Sequence, residues 1–202
     1  MTEAASVYLV DDQPAVLKAM SRLLQSAGLN VVTYESAQAF LDSGHVGKAG
    51  CLVLDLAMPD MDGMALQSRL KEMNSDLPII FLTGHGSIDT GVLAMKLGAQ
   101  DFLTKPVDGD KLLAAVQTAC EHNLRCRQAR KEKQAIQARL DSLTPRELEV
   151  LHLIVEGKLN KQVAAELGTV EKTIKVHRAK VMSKMDVPSL AALIHLLEKL
   201  KT

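Results

Sequence analysis

Aromatic residues make up only 2% of the 202 residues of this sequence, and tryptophan is absent. Its cores must therefore be packed from Leu, Val, Ile, Ala and Met, within an apolar share of 47%. Cysteine is scarce too. Cys51, Cys120 and Cys126 are odd in number and lack CxxC spacing, which argues against both a disulfide framework and a zinc site. Cys51 opens an apolar run and reads as a small core residue. No segment approaches the roughly 20 apolar residues of a membrane helix. The N-terminus has neither the basic region nor the long apolar stretch of a signal peptide. Repeats and low-complexity stretches are missing. A soluble protein of the cytoplasm, with no membrane partner, is expected. The length suits one large domain or two small ones, and composition does not choose between them.

The formal net charge is zero, but its distribution is uneven. Residues 1–120 carry 8 Lys/Arg against 14 Asp/Glu, a net of −6, and residues 121–202 carry 16 against 10, a net of +6. An acidic half joined to a basic half points to two domains with different partners. The basic half has the electrostatic footprint of a nucleic-acid binder. On charge alone, ordinary solvated surface is an equal reading.

The first 120 residues alternate short apolar runs with helical patterns. Ser6–Val10 (SVYLV) is a strand that stops at Asp11-Asp12. Val16, Met20, Leu23, Leu24 and Ala27 then recur at helical spacing, with Gly28 as C-cap. Residues 31–33 read as a second strand. Ser36 N-caps a short helix carrying Ala39, Phe40 and Leu41. Gly44, Gly47 and Gly50 mark a loop. The run CLVL at 51–54 is continuously apolar, as a strand buried on both faces requires. A helix follows from 63 to about 73, with Leu66, Leu70 and Met73 on one face. PIIFL at 78–82 is the fourth strand, Pro78 standing where no ladder donor is needed. Ile88, Val92 and Met95 give another helical face, ending near Gly98. Residues 101–103 form a fifth strand, and Lys105-Pro106 breaks the chain before the next helix. Five such βα units predict a doubly wound, five-stranded parallel sheet with helices on both faces.

From 108 to 141 the pattern is helical without a clear breaker. Leu112, Leu113, Val116 and Ala119 support packing. Beyond Leu124 the apolar content falls and Arg and Lys accumulate, as in a helix running on into an exposed linker. Ile136 and Leu140 are too few for a coiled coil. The last 60 residues show no strand-like alternation. Thr144-Pro145 with Glu147 makes a capping box with Pro at N1. Four short helices fit, at about 145–156, 160–167, 171–185 and 189–199. The expected division is a domain over 1–120, a helical linker over 121–140 and an all-α four-helix domain over 141–202.

Asp11, Asp12 and Asp55 all fall at carboxyl ends of strands. Strands one and three are neighbours if the order is 2-1-3-4-5, and ligands bind at that end of such sheets. Crowded carboxylates need a cation or protons. Oxygen ligands in an open crevice suit Mg²⁺, which keeps waters and bridges to phosphate. The fourth strand ends at Thr83 and the fifth just before Lys105, adding a hydroxyl and an ammonium. Phosphoryl transfer to a carboxylate needs this set: Asp55 as nucleophile, Mg²⁺ and Lys105 against the equatorial oxygens, and Thr83 as a donor to one of them. Each acid alone reads first as a helix N-cap. Five polar groups on the strand ends of one sheet do not.

At this point residues 6–120 resemble a response-regulator receiver domain. The motifs are VDD at 10–12, LDLAMPDMDG at 54–63, TGHG at 83–86 and KP at 105–106. The resemblance implies a flavodoxin-like fold and phosphorylation of Asp55 by a sensor histidine kinase. It implies Mg²⁺ held by Asp12, Asp55 and the backbone carbonyl of Ala57, with Asp11 acting through water. It places an aromatic switch at Phe102, which with Thr83 turns inward on activation, and a cis bond at Lys105-Pro106.

In the basic half, Gly168-Thr169-Val170 is the short turn of a helix-turn-helix. The helix Glu171–Met185 has Ile174, Val181 and Met185 for a core face, leaving Lys172, Lys175, Arg178 and Lys180 on its surface. Such a helix suits a major groove, and taken alone it suits a solvated face equally well. Residues 143–185 resemble a LuxR-type helix-turn-helix through TPRE, NKQVAAELG and TIKVHR. Together with TGHG, the chain is similar to the FixJ branch of the LuxR/NarL response regulators. The resemblance implies that Lys175 and Val176 face base edges of double-stranded promoter DNA. Thr173, His177, Lys180 and the helix start at Asn160-Lys161 would contact phosphates. Some relatives carry Lys where this chain has Ala179. A methyl group cannot read the same bases, so their operator cannot be borrowed.

The expected mechanism is regulatory. Before phosphorylation the receiver masks the recognition helix or leaves the chain monomeric. Phosphorylation then pairs two receivers through the face of helix four, strand five and helix five, giving a homodimer with two recognition helices and bringing in RNA polymerase. Enzymatic activity is limited to slow self-dephosphorylation. An Asp-nucleophile phosphatase of the haloacid-dehalogenase kind is a rival, but its proton-donor acid two residues after the nucleophile is alanine here. A second rival is a module that pairs and binds DNA without phosphate, which the presence of Asp55, Thr83 and Lys105 disfavours.

Overall fold

The computed structural model describes residues 5–84 and 88–201. The chain forms two compact units, Met1–Arg127 and Gln128–Thr202. The first contains β1 (Ser6–Val10), α1 (Pro14–Ser26), β2 (Asn30–Tyr34), α2 (Ala37–Asp42), β3 (Gly50–Asp55), α3 (Gly63–Glu72), β4 (Ile79–Thr83), α4 (Ile88–Lys96) and β5 (Asp101–Thr104). The helix α5 (Gly109–Asp141) runs without a break from the first unit into the second, which adds α6 (Pro145–Val155), α7 (Asn160–Glu166), α8 (Glu171–Met185) and α9 (Leu190–Lys201).

The five strands form one parallel sheet in the order β2-β1-β3-β4-β5, as expected. Alternation along the central strands divides the core into two layers. Tyr8, Val10, Leu52, Leu54 and Phe81 face Phe40, Leu66 and Ala94 on one side. Val7, Leu9, Cys51, Val53, Ile80 and Leu82 face Leu17, Leu24, Leu112 and Val116 on the other. Both faces of β1, β3 and β4 are therefore covered, which is why their sequences read as unbroken apolar runs.

Several helix faces differ from the expected ones. Leu23, Met73, Val92 and Met95 are exposed. The short helices rest on the sheet through narrower stripes: Leu17 and Leu24 in α1, Leu66 and Leu70 in α3, and the small Ala94 in α4. Met73 falls beyond the last turn as the C-cap of α3. Ala27 is the C-cap of α1, and Gly28 follows it with the left-handed φ of 81°. Ser36 caps α2 as expected, accepting from the Ala39 N–H. The side chain of Ile88 lies outside the described residues.

Gly50 opens β3 rather than closing a loop. Its φ is +150°, and a Cβ there would lie 1.9 Å from the Ser6 carbonyl oxygen. Only glycine permits that approach of β3 to β1.

The stretch 121–140, read as an exposed linker, is divided between the two units. Asn123 is fully buried in the first. It accepts a hydrogen bond from the Gly50 N–H at 3.1 Å and donates to the Asp76 carbonyl at 2.6 Å. Arg127 donates to the Asp76 carboxylate and to the Gly47 carbonyl, each at 2.9 Å. Further along, Ile136 is buried in the core of the second unit and Leu140 packs against it. A few apolar residues on a mostly polar helix suffice because each meets an already formed core.

In the second unit Val150, Ile154, Val163, Ile174, Val181, Met185 and Leu193 form the centre. The capping box at the start of α6 is complete: Thr144 accepts from the Glu147 N–H, and the Glu147 carboxylate accepts from the Thr144 N–H. Lys184 of α8 also donates to Glu147, at 2.7 Å. These bonds, with the Lys184 donor the largest influence, hold the Glu147 carboxyl down at about 2.

Candidate functional site

The sheet brings the acidic groups together at the carboxyl ends of its central strands. β1 ends at Val10, one residue before Asp11, and β3 ends on Asp55 itself. The two strands are hydrogen-bonded neighbours. One carboxylate oxygen from each of Asp11, Asp12 and Asp55 falls within a mutual 4.8 Å. Asp11 and Asp55 are buried. The backbone N–H of Lys105 donates to the Thr83 carbonyl at 2.7 Å, which seats the residue after β5 beside the end of β4. Its ammonium then reaches across to Asp11 at 2.5 Å and to Asp55 at 2.9 Å. The Lys105-Pro106 bond is cis, in agreement with the expectation.

Burial raises the Asp55 carboxyl above its ordinary value; the Lys105 ammonium counteracts this, and the charges of Asp11 and Asp12 add to the rise. Burial alone would lower the Lys105 ammonium, but its bonds to Asp11 and Asp55 outweigh burial and raise it. Asp11 and Asp55 thus share one cation, with the Asp12 carboxylate close by.

The oxygens differ in what they already hold. Asp11 is engaged on both sides: Oδ1 accepts from the Gln13 N–H and Oδ2 from Lys105. Asp12 Oδ1 is buried and has no hydrogen-bond partner among the described residues. A buried carboxylate oxygen without a donor is unfavourable unless a cation satisfies it. The donor set, all oxygen and open on one side, is of the kind Mg²⁺ takes. Ala57 is exposed two residues beyond Asp55.

The glycine of the Asp62-Gly63 pair has a local cause. A Cβ on Gly63 would lie 2.6 Å from the Asp55 carbonyl oxygen and 2.9 Å from the Phe81 ring, so α3 can start this close to the site only with glycine. Asp62 caps the helix, accepting from the Ala65 N–H at 2.7 Å. Thr83 is buried at the end of β4. Phe102, on the neighbouring strand, is half-buried, packs 6.3 Å from Phe81 between ring centroids, and lies against Gly91 of α4. His85 and Gly86 of the TGHG stretch lie outside the described residues.

On the second unit, Lys175, Val176, Ala179 and Lys180 are exposed along α8, while Thr173 and His177 are half-buried. Ile174, Val181 and Met185 fill the core from the opposite side, as their spacing predicts. Lys161 is exposed at the start of α7. Asn160 beside it accepts a bond from Arg178 of α8 at 3.3 Å, a link that no sequence signal announced. Lys175 pairs with Glu171 at 3.1 Å, both largely exposed, so the pair is readily exchanged for another anion.

Comparisons with known proteins match both units. Residues 7–117 match the response regulator receiver domain, and residues 141–197 match the bacterial regulatory proteins of the luxR family. The response regulator protein TodT of Pseudomonas putida is 43% identical over 202 residues, covering 100% of this chain and 89% of TodT. The transcriptional regulatory protein FixJ of Bradyrhizobium diazoefficiens is 41% identical, over 97% of this chain and 96% of its own. Among solved structures, the response regulator StyR is 44% identical with a TM-score of 0.92, over 97% of this chain and 99% of that one. Full-length FixJ from B. japonicum is 40% identical with a TM-score of 0.60, over 98% of this chain and 97% of that one. With both domain types matched, in order and over almost its whole length, the chain belongs to the two-component response regulators that join a receiver to a LuxR-type helix-turn-helix, and it is a DNA-binding transcription regulator of that family.

Proposed function

We propose that a sensor histidine kinase phosphorylates this chain on Asp55 and that the modified chain dimerises on promoter DNA. The observation that carries the first half is the position of Lys105, whose ammonium bonds both Asp11 and Asp55. An Asp55 oxygen attacks the phosphorus of the kinase phosphohistidine. The P–N bond breaks, its electron pair returns to the imidazole nitrogen, which then takes a proton, and an acyl phosphate forms on Asp55. Lys105 and Thr83 donate to oxygens of the transferred group. Asp12, Asp55 and the Ala57 carbonyl would hold Mg²⁺, with Asp11 acting through water. The ion would supply positive charge against the phosphoryl oxygens. The orphaned Asp12 oxygen supports this assignment. No acid stands at position 57 to protonate a leaving group, so turnover is limited to slow self-dephosphorylation.

Thr83 moving to the phosphoryl group leaves room for Phe102 to turn inward. The adjoining surface of α4 carries exposed Val92, Leu93 and Met95, and exposed Leu97 follows its end. Exposed apolar groups concentrated on one helix mark an interface. Two receivers pair there, across the face of α4, β5 and α5. The dimer presents two α8 helices to a pseudo-palindromic site. Lys175 and Val176 read base edges, with Ala179 offering a methyl contact. Thr173, His177, Lys180, Asn160 and Lys161 contact phosphates. RNA polymerase is the partner at the promoter. No helix of the described residues is long and apolar enough to cross a membrane, which is compatible with action in the cytoplasm.

The test is exposure of the full chain to acetyl phosphate and Mg²⁺. One labile phosphoryl group per chain, absent from Asp55→Asn, is expected, together with tighter binding to a DNA fragment selected by the phosphorylated protein. If Asp55→Asn binds that fragment as tightly as phosphorylated wild type, the chain regulates without phosphate.

A further inference from the structure

Asn123 is an unusual residue to bury. It lies on the sheet-facing side of α5, one turn past Ala119, the last residue that apolar periodicity assigns to the core. Both ends of its amide are used: the oxygen on the first N–H of β3 and the nitrogen on the Asp76 carbonyl, three residues before β4. Arg127, one turn on, holds the same Asp76 by its carboxylate and the loop before β3 by the Gly47 carbonyl. One turn earlier, Cys120 packs in the same buried cluster as Cys51, the second residue of β3. Three consecutive positions on one stripe of α5 thus grip the amino ends of β3 and β4.

Those are the strands whose carboxyl ends carry Asp55 and Thr83. β3 is only six residues long, so its two ends are about 17 Å apart. Both strands are central and hydrogen-bonded on each side, so bending either would strain the ladders on both flanks. A small displacement at the phosphorylation site is then felt at Gly50 and Asp76. Asn123 cannot release either partner without leaving a buried polar group unpaired. The helix it belongs to is continuous to Asp141.

We propose that Asn123 and Arg127 are positioning residues that couple β3 and β4 to α5, and so make the DNA affinity of the chain respond to the state of Asp55. This rests on the function proposed above. The coupling runs through the far end of the sheet and is separate from the α4 surface. Sequence spacing offered no sign of it, because a polar asparagine that follows the apolar stripe of a helix reads as its solvent-exposed end.

The test compares the full-length wild type with Asn123→Ala, Arg127→Ala and Arg127→Lys. Phosphoryl incorporation from acetyl phosphate with Mg²⁺ and affinity for the selected DNA fragment, before and after phosphorylation, are both measured. The two alanine variants are expected to take up the phosphoryl group to wild-type stoichiometry and to bind DNA as wild type does when unphosphorylated. Their gain in affinity on phosphorylation should fall by about 2- to 30-fold, the range found for residues in a coupling network. Arg127→Lys, which keeps a donor for Asp76, should retain more of the gain than Arg127→Ala. Alanine variants that are fully phosphorylated and keep the whole gain overturn the proposal. So do variants that lose phosphorylation and basal DNA binding together, because that is the behaviour of a tie needed only for folding. If Asn123→Ala fails to fold, the partly exposed Arg127 decides by the same criteria. A wild type that takes up phosphate without any gain removes the reading beneath the inference, and the inference with it.

Discussion

Replacing Asp12 by Asn should make the first unit more stable in the absence of Mg²⁺ and less stable than wild type when Mg²⁺ is saturating. Three carboxylates share a sphere of 4.8 Å. At that separation, and at the effective dielectric of a partly solvated site, each pair repels by about 3.5 kcal/mol. Asp12 takes part in two such pairs. Lys105 bonds Asp11 and Asp55 and so neutralises part of the negative charge that Asp12 faces. Solvent reaching the half-buried Asp12 screens the remainder, leaving a net gain of about 1–2 kcal/mol for the neutral amide. Against this, an ion bound at 100 times its dissociation constant adds about 2.7 kcal/mol to a folded state that holds it. The variant forfeits most of that because a neutral amide oxygen replaces the anionic carboxylate oxygen that a hard cation prefers. The two melting curves should therefore change order between EDTA and Mg²⁺. The assay is available without a label: Tyr8 and Tyr34 are the only tyrosines, and both lie in the first unit. Near-UV tyrosine dichroism of the full chain follows that unit alone. The expected rise in melting temperature without Mg²⁺ is roughly 3–8 °C. A variant less stable than wild type in EDTA would refute the electrostatic reasoning. A variant stabilised by Mg²⁺ as much as wild type would refute the assignment of Asp12 as a ligand.

Gly50→Ala should destabilise the first unit by about 3 kcal/mol or more, since the new Cβ meets the Ser6 carbonyl and the φ of +150° is strained for alanine; a melt within a degree of wild type would contradict the register of β1 on β3. Ile174→Ala should destabilise the second unit by about 2–5 kcal/mol, read from the amide signals of α8 during denaturant unfolding, because Ile174 is fully buried; an unchanged midpoint would contradict that burial. Glu147 gives a pH dependence with a definite sign. Its folded value of about 2 lies below its ordinary 4.5, so its stabilising effect is complete above 4.5, declines as pH falls, and is lost as pH passes through about 2. In Glu147→Gln the amide signals of α6 should lose that acid response, and an unchanged response would assign it to another group. Lys180→Ala should weaken DNA binding across all sequences and flatten the salt dependence by about one unit of slope; a change confined to one base position would make Lys180 a base reader instead.

The strands were legible because three of them are buried on both faces and must be apolar throughout. CLVL and PIIFL permit little else between polar turns. The capping box at Thr144 and the cap at Ser36 were legible because each depends on residues three apart. Helix faces on the sheet were less so. The spacing of Val92 and Met95 is helical, but a helix seated on Ala94 turns that stripe outward, and one-dimensional periodicity does not say which stripe meets the sheet. Gly50 was placed in a loop because the close pass of Ser6, forty-four positions earlier, is invisible along the chain. The acidic site was legible because its five polar groups fall at the ends of apolar strands, but the two bonds of Lys105 and the unpartnered oxygen of Asp12 required the strands to be set side by side.

By itself the sequence determined that there are two kinds of domain, which residues form the strands of the sheet, and that Asp11, Asp12, Asp55, Thr83 and Lys105 fall at or just after the carboxyl ends of their strands. Those properties follow from local preference and from the two-residue and 3.6-residue periods, which are written along the chain. Tertiary structure decided which oxygen lacks a partner, which apolar residues of α4 are left in solvent, and that Asn123 and Arg127 grip β3 and β4. These depend on groups dozens of residues apart meeting within about 3 Å, the reach of a hydrogen bond.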